Sequence, residues 1–423
     1  MIKRILNNHI LSKSLLTMFV QALGQGCAFI TAILLARSIS MTDYGYYIFG
    51  ITLATILAVI ATMGAGGILA RTWGRSDKQG FERDQETFET HNWYFKRGFT
   101  IIIITMALAI LYGYFEDNFN YIELYALAFA IPFFMANILQ SFFVAKRLVV
   151  FANLIQLGLR ILMLISISAF LALSLQNVTS LVASMFILMF FYIFIIWSKQ
   201  IVKFNFKSLK PIGSNMSFAL MQWGLLLLSQ VDILILKGIS SAQDIAIFGV
   251  ALQLSALVAF VLNAVNSNVL SHIADDYKNC PREEFQKRVT SYTKIIFFLS
   301  LIAIIGLLIF GYPITLLYGS KYIPSYYVFC ILMIGQLINI LSGCVATILN
   351  MAGFEKNTCV AFYIALTINV ILGIILTNFY GIYGLAIASS ISMAYWNMHL
   401  LIEVMLKIKV NPTIIKGLNR FIK

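Results

Sequence analysis

The eight residues NLIQLGLR, Asn153 to Arg160, carry two amides and a guanidinium at i, i+3 and i+7 inside an otherwise apolar run. That spacing places Asn153, Gln156 and Arg160 on one face of a helix. A guanidinium can fork two parallel N–H groups onto a phosphate, and amides hydrogen-bond hydroxyls without choosing a charge state. The face reads either as the lining of a wet cleft or as a packed polar cluster that Arg160 caps. Other amides recur at helical spacing: Gln21 with Gln25, Asn137 with Gln140, and Gln336 with Asn339, joined by Gln222, Gln230, Gln253, Asn263 and Asn266. Each is a hydrogen-bonding group for a ligand or a bridge between helices. Asp232 is the one acid clearly inside an apolar run, five residues before Lys237. It pairs with Lys237, pairs with Arg37, or carries a coupling ion.

The elements that hold these groups follow from composition. Hydrophobic residues make up 60% of the 423, charged residues only 11%, and the mean hydropathy is +0.88. Soluble domains carry about 25% charged residues, so this chain cannot dress a soluble surface. Twelve apolar runs are long enough to span a bilayer, at 14–36, 45–70, 98–114, 122–144, 149–173, 178–198, 213–237, 246–272, 292–317, 326–351, 358–380 and 381–405. They are continuous rather than alternating, which predicts helices and not a β-barrel. The first run is too long for a signal-peptide core and reads as a retained span. On this count Arg160 lies about 16 Å into the fifth span, near the bilayer midplane. Pro132 and Pro313 fall within the fourth and ninth spans, where each can kink its helix.

The net charge of +13 has a topological meaning. With the N-terminus inside, 26 of the 30 Lys and Arg fall on inside segments, three (Arg37, Lys237 and Lys321) fall outside, and Arg160 lies within a span. The split follows the positive-inside rule, puts both termini in the cytoplasm, and argues against a nucleic-acid partner. The cysteines, at 27, 280, 330, 344 and 359, and the histidines, at 9, 91, 272 and 399, are scattered and predict no disulfide, metal or other cofactor. The mixed-charge stretch Arg71 to Arg97 reads as an interfacial or solvated connector.

The chain also repeats. At an offset of 200, Ser14, Gly24, Ile33-Leu34 and Ile39-Ser40 meet Ser214, Gly224, Ile233-Leu234 and Ile239-Ser240, while Arg37 meets Lys237. After a one-residue gap, Phe49-Gly50 meets Phe248-Gly249. Six spans separate the copies, so the halves share one orientation. The expectation is an all-α integral membrane protein of two parallel-repeat six-helix bundles, 1–205 and 206–423, linked by the basic stretch Lys199 to Pro211. Arg37 and Lys237 become repeat-related basic residues at the outer ends of spans one and seven. They either flank an emerging anion or snorkel to headgroups.

Four stretches carry a family resemblance: LLARSISMTDYGYYIFG (Leu34 to Gly50), GYPITLLYGSKYIPSYYVFCILMIGQL (Gly311 to Leu337), LNMAGFEKNT (Leu349 to Thr358) and YGIYGLAIASSIS (Tyr380 to Ser392). In order along nearly the whole chain, they resemble the Wzx-type polysaccharide-repeat flippases of the multidrug/oligosaccharidyl-lipid/polysaccharide exporter superfamily. The second copy lacks the Tyr-Gly of the first. The resemblance implies a multi-pass protein of the bacterial inner membrane and no cofactor. Its partners would be membrane lipid, an undecaprenyl-diphosphate-linked oligosaccharide carried to the outer leaflet, and other polysaccharide-assembly membrane proteins. For that cargo, Arg160, Arg37 and Lys237 are candidates for the diphosphate, Asn153, Gln156, Gln21 and Gln25 for the sugars, and Asp232 for a coupling ion.

Two other classes compete. A cation-coupled drug exporter of the same superfamily would place an acid in its first helices; residues 14–36 contain none, and Arg160 suits a cationic drug poorly. A membrane polymerase or glycosyltransferase needs a sizeable active-site loop or a carboxylate set, and the chain carries no HExxH, nucleophile elbow or Gly-rich phosphate loop. The topology is directly testable. A reporter active only in the cytoplasm should work after Lys203 or at Lys423, and one active only outside should work near Asp117 or Lys321. The reverse pattern would overturn the twelve-span reading.

Overall fold

The computed structural model describes residues 9–115, 120–174, 177–203, 207 and 216–414. Hydrocarbon offers no partner to backbone N–H and C=O groups, so apolar runs of this length satisfy themselves as helices. The helices are α1 (His9–Ser38), α2 (Met41–Ala61), α3 (Ala65–Arg75), α4 (Gly80–Phe115), α5 (Tyr121–Leu127), α6 (Ala130–Ala145), α7 (Val149–Ala172), α8 (Val178–Lys203), α9 (Met216–Ile239), α10 (Ala242–Asn279), α11 (Arg282–Tyr318), α12 (Pro324–Ser342), α13 (Val345–Met351) and α14 (Glu355–Glu403). Among the described residues, eleven helical segments are long and apolar enough to cross a membrane.

The longest segment resolves into two. At 1.5 Å per residue the 49 residues of α14 would reach about 74 Å, more than twice the hydrocarbon thickness. Gly381, at φ 58° and ψ −143°, breaks the run. The residues on its two sides then meet in antiparallel register. Asn357 Nδ2 donates to Glu403 Oε2 at 2.8 Å, the Phe362 and Trp396 rings lie edge to face, and Ser392 Oγ donates to the Ala365 carbonyl at 2.7 Å. At Gly384 a Cβ would run into the Leu376 carbonyl, so the arms approach backbone to backbone. α14 is therefore a helical hairpin with a turn at Gly381, and its arms are the eleventh and twelfth crossings.

Other spans are interrupted where the backbone finds substitute partners. Span two is α2 plus α3, broken at Met63 and Gly64, both at positive φ. Span four is α5 plus α6. Pro132 has no N–H to give the Ala128 carbonyl, and that carbonyl accepts instead from Ile131 N at 3.1 Å. The proline thus marks a break in span four, whereas α11 continues through Pro313 to Tyr318. The stretch Arg71–Arg97 is not a connector. It is the last turn of α3, a four-residue link and the first half of α4. Of the expected linker, Lys199–Lys203 extend α8, and the Lys207 carbonyl accepts from buried Asn92 Nδ2 at 3.1 Å; the rest lies outside the described residues.

Contacts divide the chain into two compact units, Met1–Trp223 and Gly224–Lys423. In the first, α1 packs on α7, and α2 packs on α5 and α6. A Cβ on Gly50 would lie 2.5 Å from Ala126 Cβ and 2.7 Å from the Glu123 carbonyl, so glycine sets how closely α2 and α5 approach. In the second, α12 packs on α14 and α10, and α10 on α11. The five cysteines are free, and no group of three or more metal-ligating side chains occurs among the described residues.

The recurring loop has a structural reason. In the first copy Asp43 N donates to Ser40 Oγ at 3.1 Å, and Ser40 Oγ donates to Asp43 Oδ2 at 2.7 Å. In the second, Asp244 N donates to Ser241 Oγ and Ser241 N to Asp244 Oδ2, both at 3.2 Å. Both copies are helix N-caps built on Ser-x-x-Asp, and the second is a full capping box. They start α2 and α10 within a few residues of the preceding helix. Ser40→Ala and Ser241→Ala should each cost about 1 kcal/mol of stability, read as earlier thermal unfolding of the purified protein in detergent; unchanged unfolding would show that the caps are dispensable.

Candidate functional site

In the first unit, helices α1, α6 and α7 carry Gln21, Asn137, Gln140, Asn153, Gln156 and Arg160, polar residues singled out in the sequence. Gln21 Nε2 donates to Asn153 Oδ1 at 3.0 Å, across from α1 to α7. Gln156 Nε2 donates to Gln140 Oε1 at 3.0 Å and lies 3.3 Å from Asn137 Oδ1, joining α7 to α6. One turn along α1 from Gln21, Gly24 leaves room for the Arg160 side chain. A Cβ on Gly24 would stand 3.1 Å from Arg160 Nη1 and 3.4 Å from its Cδ. The arginine therefore lies along α1, half-buried and beyond the amide pairs.

The two sequence readings separate here. The amides Gln21, Asn137, Gln140, Asn153 and Gln156 act as bridges between helices. The Arg160 side chain lies against Gly24, and among the described residues no carboxylate forms an ion pair with it. A cation at the centre of a span costs about 2.5–3.5 kcal/mol on the insertion scale. A guanidinium without an ion-pair partner among the described residues suits an anion arriving from outside the protein. Gln25 is half-buried on α1, one turn from Gln21.

In the second unit, Asp232 on α9 is only 3% exposed. Its Oδ1 accepts from Asn369 Nδ2 at 3.0 Å and from Ser389 Oγ at 2.8 Å. These donors sit on opposite arms of the α14 hairpin at matching levels. Asn369 is twelve residues, or about 18 Å, from the turn at Gly381, deep in the hydrocarbon. The buried Asn369 Oδ1 has no hydrogen-bond partner. Carboxylate, amide and hydroxyl oxygens thus meet at one place, with Asp232 and Asn369 buried and Ser389 half-buried, a donor set suited to a proton or a hard cation. No local spacing in the sequence links Asn369 and Ser389 to Asp232; the hairpin register does.

Arg37 and Lys237 each occupy the last turn of their helix, α1 and α9, where a cation complements the helix dipole. Arg37 belongs to the first unit and Lys237 to the second. In the second unit Asn339 Nδ2 donates to Gln336 Oε1 at 3.2 Å within α12, and Gln253 accepts from Tyr318 Oη at 3.2 Å. Gln222 is exposed, and Gln230 approaches Ser229 Oγ at 3.5 Å. The side chains of Asn263, Asn266 and His272 lie outside those described.

A family model described as "Polysaccharide biosynthesis protein" matches residues 10–271. Among curated proteins none matches. Among solved structures, the chain is similar to the lipid II flippase MurJ in an inward closed conformation, with TM-score 0.73, 17% identity, and coverage of 93% of this chain and 88% of that one. It is similar to an inward-facing multidrug resistance MATE family transporter of the MOP superfamily, with TM-score 0.69, 13% identity, and coverage of 88% and 92%. It is also similar to a MOP superfamily transporter from Pyrococcus furiosus, with TM-score 0.62, 12% identity, and coverage of 91% and 92%. At these identities the likeness establishes the fold.

The geometry around Asp232 makes a stability prediction. Asn369→Leu removes a donor from a buried carboxylate and should cost about 1–3 kcal/mol, and Ser389→Ala about 1 kcal/mol. Replacing Asp232 by Asn as well should recover part of the Asn369→Leu loss, because no buried charge then lacks its donor. Thermal unfolding in detergent measures all three; additive losses would show that the carboxylate does not depend on these bonds.

Proposed function

The chain belongs to the polysaccharide biosynthesis protein family, and on that basis we propose that it is a lipid-linked oligosaccharide flippase. It moves an undecaprenyl-diphosphate-linked polysaccharide repeat unit from the cytoplasmic to the outer leaflet of the bacterial inner membrane. The movement is alternating access by two parallel-repeat six-helix lobes, 1–205 and 206–423, with both termini in the cytoplasm. The product would be surface glycan of the O-antigen or lipopolysaccharide kind. Its fold is that of a flippase and of multidrug transporters, which favours transport over polymerase or glycosyltransferase chemistry.

The observation that carries the reading is Arg160, a mid-span guanidinium laid along α1 with no carboxylate in an ion pair with it among the described residues. A diphosphate supplies the missing charge and the paired oxygens that a guanidinium fork takes. Gln21, Gln25, Asn153 and Gln156 are assigned to the sugars; the Gln21–Asn153 bond and the bonds of Gln156 to Asn137 and Gln140 can be exchanged for sugar hydroxyls as the cargo passes. Arg37 and Lys237 are assigned to the diphosphate at the outer ends of their helices. Asp232, with Asn369 and Ser389, is assigned to the coupling ion. A cation-coupled multidrug exporter is the second reading, favoured by the multidrug transporters among the structural neighbours. An unpaired arginine at mid-span is a poor host for a cationic drug.

Arg160→Ala should cut export by about ten- to a hundredfold, the equivalent of one lost charge-assisted interaction, while the protein still accumulates in the membrane. Arg160→Lys should keep part of the activity, and Arg160→Glu should fall below alanine through repulsion of the anion. Surface glycan, lipid-linked oligosaccharide in the inner leaflet and membrane protein level, measured together, decide the matter. Glycan falling only in proportion to protein level would make Arg160 structural, and lost drug tolerance with normal glycan would favour the exporter.

A further inference from the structure

At one end of the first unit, the α3–α4 link and the α6–α7 turn meet around Trp73. The Arg83 guanidinium lies 3.9 Å from the centre of the indole ring, and that of Arg147 lies 5.4 Å from it. Beneath them Asp84 spends both oxygens on neighbours. Its Oδ1 accepts from Trp73 Nε1 at 3.2 Å, and its Oδ2 pairs with Lys146 Nζ at 2.6 Å. The next acid, Glu86, is engaged by Lys78 at 3.5 Å and Ser76 at 2.8 Å. Neither guanidinium forms an ion pair among the described residues, and Arg83 Nε is buried with no hydrogen-bond partner.

The backbone at Arg147 is a second, independent observation. It is in the left-handed region at φ 61°, with Arg147 N bonded to the Val144 carbonyl and Leu148 N to the Phe143 carbonyl, both at 2.9 Å. This is a helix C-terminal turn whose left-handed position favours glycine. An arginine there costs stability, and what it gains is a guanidinium directed onto Trp73. Around it Val144, Leu148, Val149 and Phe151 are exposed large apolar side chains, as expected where a helix end leaves the acyl chains for the headgroups.

We propose that Arg83, lying over Trp73, and Arg147, 5.4 Å from the centre of the same ring, form a binding site for the phosphate of an anionic glycerophospholipid. A guanidinium lying on an indole keeps its in-plane N–H groups for a phosphate. The exposed apolar residues beside Arg147 fit the acyl chains of the same lipid. The site is separate from Arg160 and goes beyond the flippase reading: it ties the first unit to the leaflet around it rather than to the cargo.

The test uses the full chain, purified in detergent and stripped of lipid, titrated with phosphatidylglycerol or phosphatidylcholine, with binding followed by native mass spectrometry and by the shift in melting temperature. Phosphatidylglycerol should bind saturably and raise the melting temperature, and phosphatidylcholine should not. Arg147→Gly should melt higher than the parent without lipid, because glycine relaxes the turn, yet bind phosphatidylglycerol about tenfold more weakly. Arg83→Gln should weaken binding similarly. Arg97→Gln, which removes a guanidinium 4.0 Å over the Trp93 ring, should leave binding unchanged. Equal binding of the two lipids, unchanged phosphatidylglycerol binding in both Arg147→Gly and Arg83→Gln, or displacement of phosphatidylglycerol by undecaprenyl diphosphate at about tenfold lower concentration would each overturn the proposal.

Discussion

Inside hydrocarbon, a backbone amide or carbonyl must find its partner within the protein, and the rest of this structure depends on that constraint. It makes every apolar run a helix and decides how helices can stop. The spans that break do so where a substitute bond is ready. The Ala128 carbonyl turns to Ile131 because Pro132 cannot donate, and α2 and α10 begin on serine–aspartate caps that satisfy their first amides. Glycine then appears where backbone must pass backbone, as at Gly50 beside α5 and Gly384 beside the other hairpin arm.

The same constraint separates the two charges found deep in the spans. Asp232 is answered by the protein itself, with donors from both arms of one hairpin. Arg160 is given room by Gly24 rather than a counter-charge. A carboxylate held by neutral donors can exchange a small cation with little rearrangement, whereas an unpaired guanidinium calls for an anionic group. Under the flippase reading, one charge manages energy and the other manages cargo.

Much of this was legible in the sequence because hydropathy reports length directly. The span limits at 358–380 and 381–405 meet at the glycine that turns the hairpin. The helical spacings picked out Gln21 and Asn153, which bond to each other, and Gln156, which bonds Asn137 and Gln140. The recurring loop was visible as Ile-Ser and Phe-Gly, but its cause, Ser-x-x-Asp capping, was obscured by the one-residue gap between the copies. What escaped notice depends on register between distant segments. Asn369 and Ser389 belong with Asp232 only once the hairpin has folded, and Arg147 belongs with Trp73 only once α3 and α7 share an end. The mixed charge of Arg71–Arg97 reads as an interfacial or solvated connector because ion pairs and indole contacts within a folded helix end leave the same composition.

The hairpin joint at Gly381 has a mechanical consequence for Asp232. Its two donors sit on arms joined by a single glycine and packed too closely to slide independently. Any shift of α9 against the hairpin must stretch both bonds at once, and any return must restore both. The two bonds are therefore made and broken together, so the carboxylate ties α9 to both arms as one unit.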